Sequence, residues 1–127
     1  MMEGESMGYT IGQTAEKVGL STYTLRYYEK EGLIPIIHRN ASGIRMYNDD
    51  DLFWIDFVRC LKDTGMSLAG IREIISLSMK GQSRFNSTRK KEILLEHRKQ
   101  VMQHIEELQK SLEKIDNKIR HLEKEMV

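Results

Sequence analysis

The apolar positions of this chain change rhythm along its length. From about Ser87 to the C-terminus there is no Gly and no Pro. Leu94, Val101, Leu108, Ile115 and Leu122 recur every seventh residue there. Arg98, Ile105, Leu112, Ile119 and Met126 recur with the same period, offset by four. This 4-3 spacing over about five heptads predicts one helix on the order of 50 Å long with an apolar seam. Such a seam would lie in water on an isolated chain. The preceding domain is too small to cover it, so the pattern points to a homodimeric coiled coil rather than to a helix folded back on itself. The dimerising positions are Leu94, Val101, Ile105, Leu108, Leu112, Ile115, Ile119 and Leu122.

Upstream, the apolar positions come in short bursts divided by turn residues. Thr10 and Gln13 have capping-box spacing and open a helix that stops at Gly19. Ser21 caps a second helix, ending near Gly32. Ala15, Gly19 and Leu25 supply a small residue for close approach, a turn and a joint-filling side chain, the spelling of a helix-turn-helix. Ile36–Arg39 and Ile44–Tyr47 can pair as short strands about Asn40-Ala41-Ser42-Gly43, forming a wing. Asn48 then caps a third helix, with Leu52, Ile55, Val58 and Leu61 as its core face, widened by Phe53, Trp54 and Phe57. Ser67 caps a fourth, which closes by Gly81. The expected fold is all-α with a small β-wing. A lead-in occupies residues 1–8, a winged helix-turn-helix domain with two linking helices occupies 9–82, and a coiled-coil dimerisation helix occupies 83–127.

Charge adds little. The chain has a formal net charge of +1. Thr10–Tyr47 carries five Lys/Arg against three Glu, and residues 48–127 carry fifteen against fourteen Asp/Glu. A mild excess fits a DNA reader with a few phosphate contacts. The single cysteine excludes an intrachain disulfide and paired-Cys zinc spacings, and fits a reducing cytosol. No apolar run reaches membrane-spanning length and no signal pattern opens the chain, so a cytoplasmic location is expected. No nucleophile–base set, phosphate loop or metal set is visible, which argues against an enzyme, a cofactor and a metal site. His97 and His104, seven apart on one flank of the long helix, read as surface decoration.

Two short helices cannot bury a large core, so they serve to present one of them. Arg26, Tyr27 and Tyr28 put a guanidinium and two phenols on the second helix, groups suited to phosphate oxygens and groove edges. Tyr28 reads as packed inside, and Tyr47 as either a wing contact or a residue packed beneath the wing. Lys17, in the last turn of the first helix, is a surface lysine within reach of phosphate, and Thr10, at the opposite end of that helix, is a further candidate DNA contact.

The strings Thr24-Leu25-Arg26-Tyr27-Tyr28-Glu29, Gly32-Leu33-Ile34, Arg39, Ser42-Gly43-Ile44-Arg45 and Tyr47, followed by two helices and a coiled coil, resemble the MerR family of bacterial transcription regulators. The resemblance runs from Tyr9 to the last helix. It implies a dimer joined by an antiparallel coiled coil, bound to promoter DNA whose spacer between the two polymerase-contact boxes is too long. Bending and untwisting that spacer lets RNA polymerase use both boxes. The resemblance implies that Tyr23, Thr24, Arg26 and Tyr27 face the major groove and its phosphates, while Arg39, Arg45 and Tyr47 hold the backbone through the wing. The alternative of a coiled-coil adaptor that keeps a winged helix as scaffold is separated by operator binding.

The metal-responsive members carry a cysteine pair after the long helix, which this chain lacks. Cys60, in the third helix, resembles the lone cysteine of the AdhR/NmlR branch, whose members respond to aldehydes or related electrophiles. Arg59 and Lys62 nearby would favour its thiolate. Cys60 also follows Phe57 by three and Phe53 by seven, so the residues equally allow a small buried hydrophobe.

Overall fold

The computed structural model describes residues 8–81 and 83–127; the expected lead-in lies outside these except for Gly8. Five helices follow in order: α1 (Ile11–Val18), α2 (Thr22–Lys30), α3 (Asp49–Asp63), α4 (Leu68–Met79) and α5 (Arg84–Glu125). The chain divides into two compact units, one reaching Lys90 and the other Lys91–Val127.

In the first unit every anticipated cap forms. Thr10 Oγ1 accepts from Gln13 N at 3.1 Å while Gln13 Oε1 accepts from Thr10 N at 2.9 Å. Asn48 and Asp51 make the same reciprocal pair at the head of α3. Ser21 and Ser67 cap α2 and α4. Each cap satisfies amide donors that a helix start leaves without intrahelical partners. Asp51 is partly buried there, and that burial raises its carboxyl pKa against the lowering effect of the Asn48 amide. Gly19 ends α1 at φ 71°, a backbone that a side chain at this position would strain.

The core of this unit is Leu25 and Tyr28 from α2, Leu33, Ile34 and Ile37 from the following segment, Tyr47, Ile55, Val58 and Leu61 from α3, and the Ile71, Ile74, Ile75 face of α4. Polar ties close its edges. Arg72 of α4 donates to the Glu31 carbonyl at 2.7 Å and pairs with its carboxylate at 3.0 Å, capping α2 with a cation where the helix dipole is negative. The first turns of α5 are held to α4 by Arg89–Glu73 at 2.8 Å and by Asn86 Nδ2 donating to Leu77 O at 3.4 Å.

Two expectations change here. The wing is a hairpin without full strands: Arg39 and Arg45 form one antiparallel bridge, and Tyr47 bridges not to the wing but to Tyr9. The Asn40 carboxamide shapes the turn, its Oδ1 accepting the amides of Ser42 and Ile44 at 2.9 and 3.0 Å. Phe53 does not widen the core: it is 61% exposed and stacks on Phe57 at 6.1 Å, with Trp54 edge-on to both. α5 begins at Arg84, within one residue of the expected start at 83.

The second unit is the remainder of α5. Ile105, Leu108, Leu112, Ile115, Ile119 and Leu122 are exposed along it, while Leu94 and Val101 are half-buried. His97, expected at the surface, is buried. Among the described residues no helix is long and apolar enough to cross a membrane.

Candidate nucleic-acid interface

α1 and α2 meet at the Gly19 turn, and Arg59 of α3 locks the joint by donating to Val18 O. The Arg59 Nη1 lies only 3.0 Å from where a Cβ on Gly19 would stand, so the glycine serves close approach as well as turn geometry. α2 then buries Leu25 and Tyr28 and turns Tyr23 and Arg26 outward. Tyr23 is 76% exposed. Arg26 Nη1 rests 3.4 Å from Thr22 Oγ1 on the same exposed face. Tyr27 is half-buried, with Lys62 Nζ 5.5 Å from its ring centre. Thr24 is drawn into the cap: its hydroxyl accepts from Ser21 Oγ at 2.9 Å. Thr10 likewise serves its capping box from an exposed position. Lys17 holds its ammonium 5.0 Å over the Tyr9 ring. Tyr9 in turn donates to Asp49 at 2.9 Å, a bond that raises its phenol pKa.

In the wing, Arg39 is exposed and donates through Nη1 to Gly43 O at 2.9 Å, which shapes the turn. Arg45 Nε pairs with Glu29 of α2 at 2.8 Å. Tyr47 departs from the expected backbone contact. It is 0% exposed, and its backbone is paired with Tyr9 at both N–H and C=O. Burial is the main cause that raises its phenol pKa. Tyr23, Arg26 and Arg39 thus face solvent, Tyr27 and Arg45 do so in part, and Tyr47 does not.

Sequence reading missed Glu29, Tyr9 and Lys62. Their roles rest on partners far along the chain, and only the Tyr-rich stretch around α2 hints at a cation such as Lys62.

Cys60 is exposed, which removes the buried-hydrophobe reading for this conformation. The cations expected beside it point elsewhere. Arg59 serves Val18 and lies 3.8 Å from Asp63, while the Lys62 ammonium sits 5.2 Å over the Tyr28 ring. Helical rotation of about 100° per residue carries both away from residue 60.

Residues 9–78 match the profile described as MerR HTH family regulatory protein, and residues 53–118 match that described as MerR, DNA binding. The chain belongs to the MerR family. AdhR, a transcriptional regulator of Bacillus subtilis, is 38% identical over 93 residues, covering 73% of this chain and 65% of AdhR. An HTH-type regulator of Haemophilus influenzae is 47% identical over 75 residues, covering 59% of this chain and 56% of its own length. The chain therefore spans somewhat under two thirds of these two relatives. The crystal structure of HiNmlR, a MerR family regulator lacking the sensor domain and bound to promoter DNA, superposes with a TM-score of 0.84 at 36% identity, covering 93% of this chain and 92% of that one.

Proposed function

We propose that this MerR-family protein is a homodimeric, promoter-distorting transcription regulator whose input is a small electrophile that reacts at Cys60. The observation that carries the DNA half is the outward face of α2, where Tyr23 and Arg26 stand free of the core beside the wing arginines Arg39 and Arg45. Tyr23, Arg26 and Tyr27 read the major groove and its phosphates, with Thr10, Lys17 and Thr24 at the helix ends near the backbone. Two such heads, joined by the exposed α5 seam, address the two halves of a palindromic operator. Bending and untwisting a promoter costs on the order of 1–6 kcal/mol, which the contacts of both heads together offset. RNA polymerase then meets the regulator through the shared promoter. The likeness to a relative crystallised on promoter DNA supports this reading.

The sensor half rests on Cys60 being exposed on α3, one turn from the Phe53–Phe57 stack. α3 also carries Arg59, which locks the α1–α2 joint, so a change at residue 60 acts on the helix that braces the reading head. With an aldehyde, Sγ bonds to the carbonyl carbon and the thiol proton ends on the former carbonyl oxygen, giving a hemithioacetal. The adduct stands on the exposed side of α3, one turn from the aromatic stack; closing of that stack over it would move α3, because packed helices shift between discrete arrangements. A reporter strain given sublethal formaldehyde or methylglyoxal tests this with wild type beside Cys60→Ser. The serine variant should bind its operator normally and fail to respond. Full induction of a stable serine variant would place the input elsewhere.

A further inference from the structure

Glu29 is an unexpected residue for a surface that meets DNA. It stands in the last turn of α2, the reading helix, and its side chain is 14% exposed. A carboxylate so close to phosphates repels them. Unless it does something else, removing it should tighten binding.

Its two oxygens have separate partners. Oε1 accepts from Arg45 Nε at 2.8 Å, and Oε2 accepts from the Ile37 amide at 3.2 Å. Ile37 lies on the arm of the wing that leaves α2, and Arg45 on the arm that returns, directly across the bridge to Arg39. One carboxylate therefore takes a donor from each arm. The guanidinium is a rigid plane, so fixing Nε fixes the direction of both Nη nitrogens. Those nitrogens form no hydrogen bond with the described residues, and the side chain keeps 24% exposure.

We propose that Glu29 is a positioning residue: without touching DNA, it sets the wing's angle on α2 and aims the Arg45 Nη pair at a backbone phosphate. This rests on the reading that α2 and the wing face DNA. It makes a prediction opposite in sign to bystander electrostatics.

The experiment measures binding of the full-length protein to an operator selected from random duplexes, and to an unrelated duplex, across a salt series. Wild type, Glu29→Gln and Arg45→Lys are compared, with helix content and thermal midpoint as fold controls. If wild type selects no duplex, the DNA-reading role itself fails, and that result is seen before any variant is compared. Given a wild-type operator, Glu29→Gln should weaken operator binding by about tenfold or more, the worth of a charge-assisted bond. It should also flatten the salt dependence by about two phosphates per dimer. Arg45→Lys keeps the charge but cannot serve Glu29 and a phosphate together, and should show the same two changes. Equal or tighter binding by Glu29→Gln, with an unchanged or steeper salt slope, would overturn the proposal. If Glu29→Gln does not fold, Arg45→Lys decides, and wild-type affinity and slope in that variant would overturn it equally.

Discussion

Tyr47→Phe separates burial from contact more sharply than any other single change. The ring is wholly buried, and its Oη has no hydrogen-bond partner among the described residues. Its backbone is fixed to Tyr9 by bonds of 2.7 and 2.8 Å, which hold this segment, and so the base of the side chain, in place. A buried hydroxyl without a partner costs about 1–3 kcal/mol. Phenylalanine keeps the ring and its packing and deletes only the oxygen. The expected outcome is a gain of about 1 kcal/mol per protomer. For a chain of this size that raises the thermal midpoint by about 3–5 °C, measured by circular dichroism at equal protomer concentration. The pH dependence has a definite sign. Burial first, with the Glu29 and Asp51 charges adding and the Arg45 and Arg26 charges opposing, raises the folded pKa above the ordinary 10.0. The proton is then held more tightly in the folded state. That stability is fully present below about pH 10 and lost as pH rises through the folded value. The advantage of Tyr47→Phe should therefore widen in alkali. Operator affinity should not change, since a sealed ring meets no phosphate. A phenylalanine variant that is less stable by 1 kcal/mol or more, or that binds operator several-fold more weakly, would show that the hydroxyl has a partner and that the burial argument is wrong.

Two further outcomes test the remaining surfaces. Leu108 and Ile115 are 57% and 55% exposed on α5, so covering the rest of each side chain contributes roughly 1 kcal/mol, or about 4 kcal/mol over the four in a dimer. Leu108→Glu with Ile115→Glu also buries charges, so the double variant should sediment as a monomer at micromolar concentration. A persisting dimer would mean the seam is misread. Arg26→Ala should cost operator binding about 1–3 kcal/mol, and Tyr27→Phe a smaller amount, with thermal midpoints close to wild type. Unchanged affinity in both would move the DNA surface off α2.

What could be read from sequence in this protein follows how far its interactions reach. Thr10 with Gln13, Asn48 with Asp51, and the Ser21 and Ser67 caps join groups within one helical turn, so the bare string displays them. Gly19 is legible for the same reason, since a backbone at φ 71° selects its own residue. Periodicity, by contrast, reports that a face is apolar and not what lies against it. Phe53, Trp54 and Phe57 count toward α3's apolar face, yet Phe53 stands in solvent. Tyr47 has a ring suited to a core and a hydroxyl suited to phosphate, and pattern cannot choose between them.

The polar ties that shape the reading head are the least visible. Arg59 seemed a neighbour of Cys60 but reaches Val18 instead, 41 positions away. Arg45 is 16 positions from Glu29, and Arg72 is 41 from Glu31. Each is an unremarkable surface ion until the fold supplies its partner. Their placement has a functional consequence. α2 is held at its start by the Gly19 joint that Arg59 locks, at its end by Arg72, and along its wing side by Glu29. If α2 meets the bases as proposed, a helix held at three points would transmit a displacement of α3 to them, where a helix on a loose turn would absorb it. The proposed promoter-distorting role would need that stiffness, because the work of bending would pass through these same contacts.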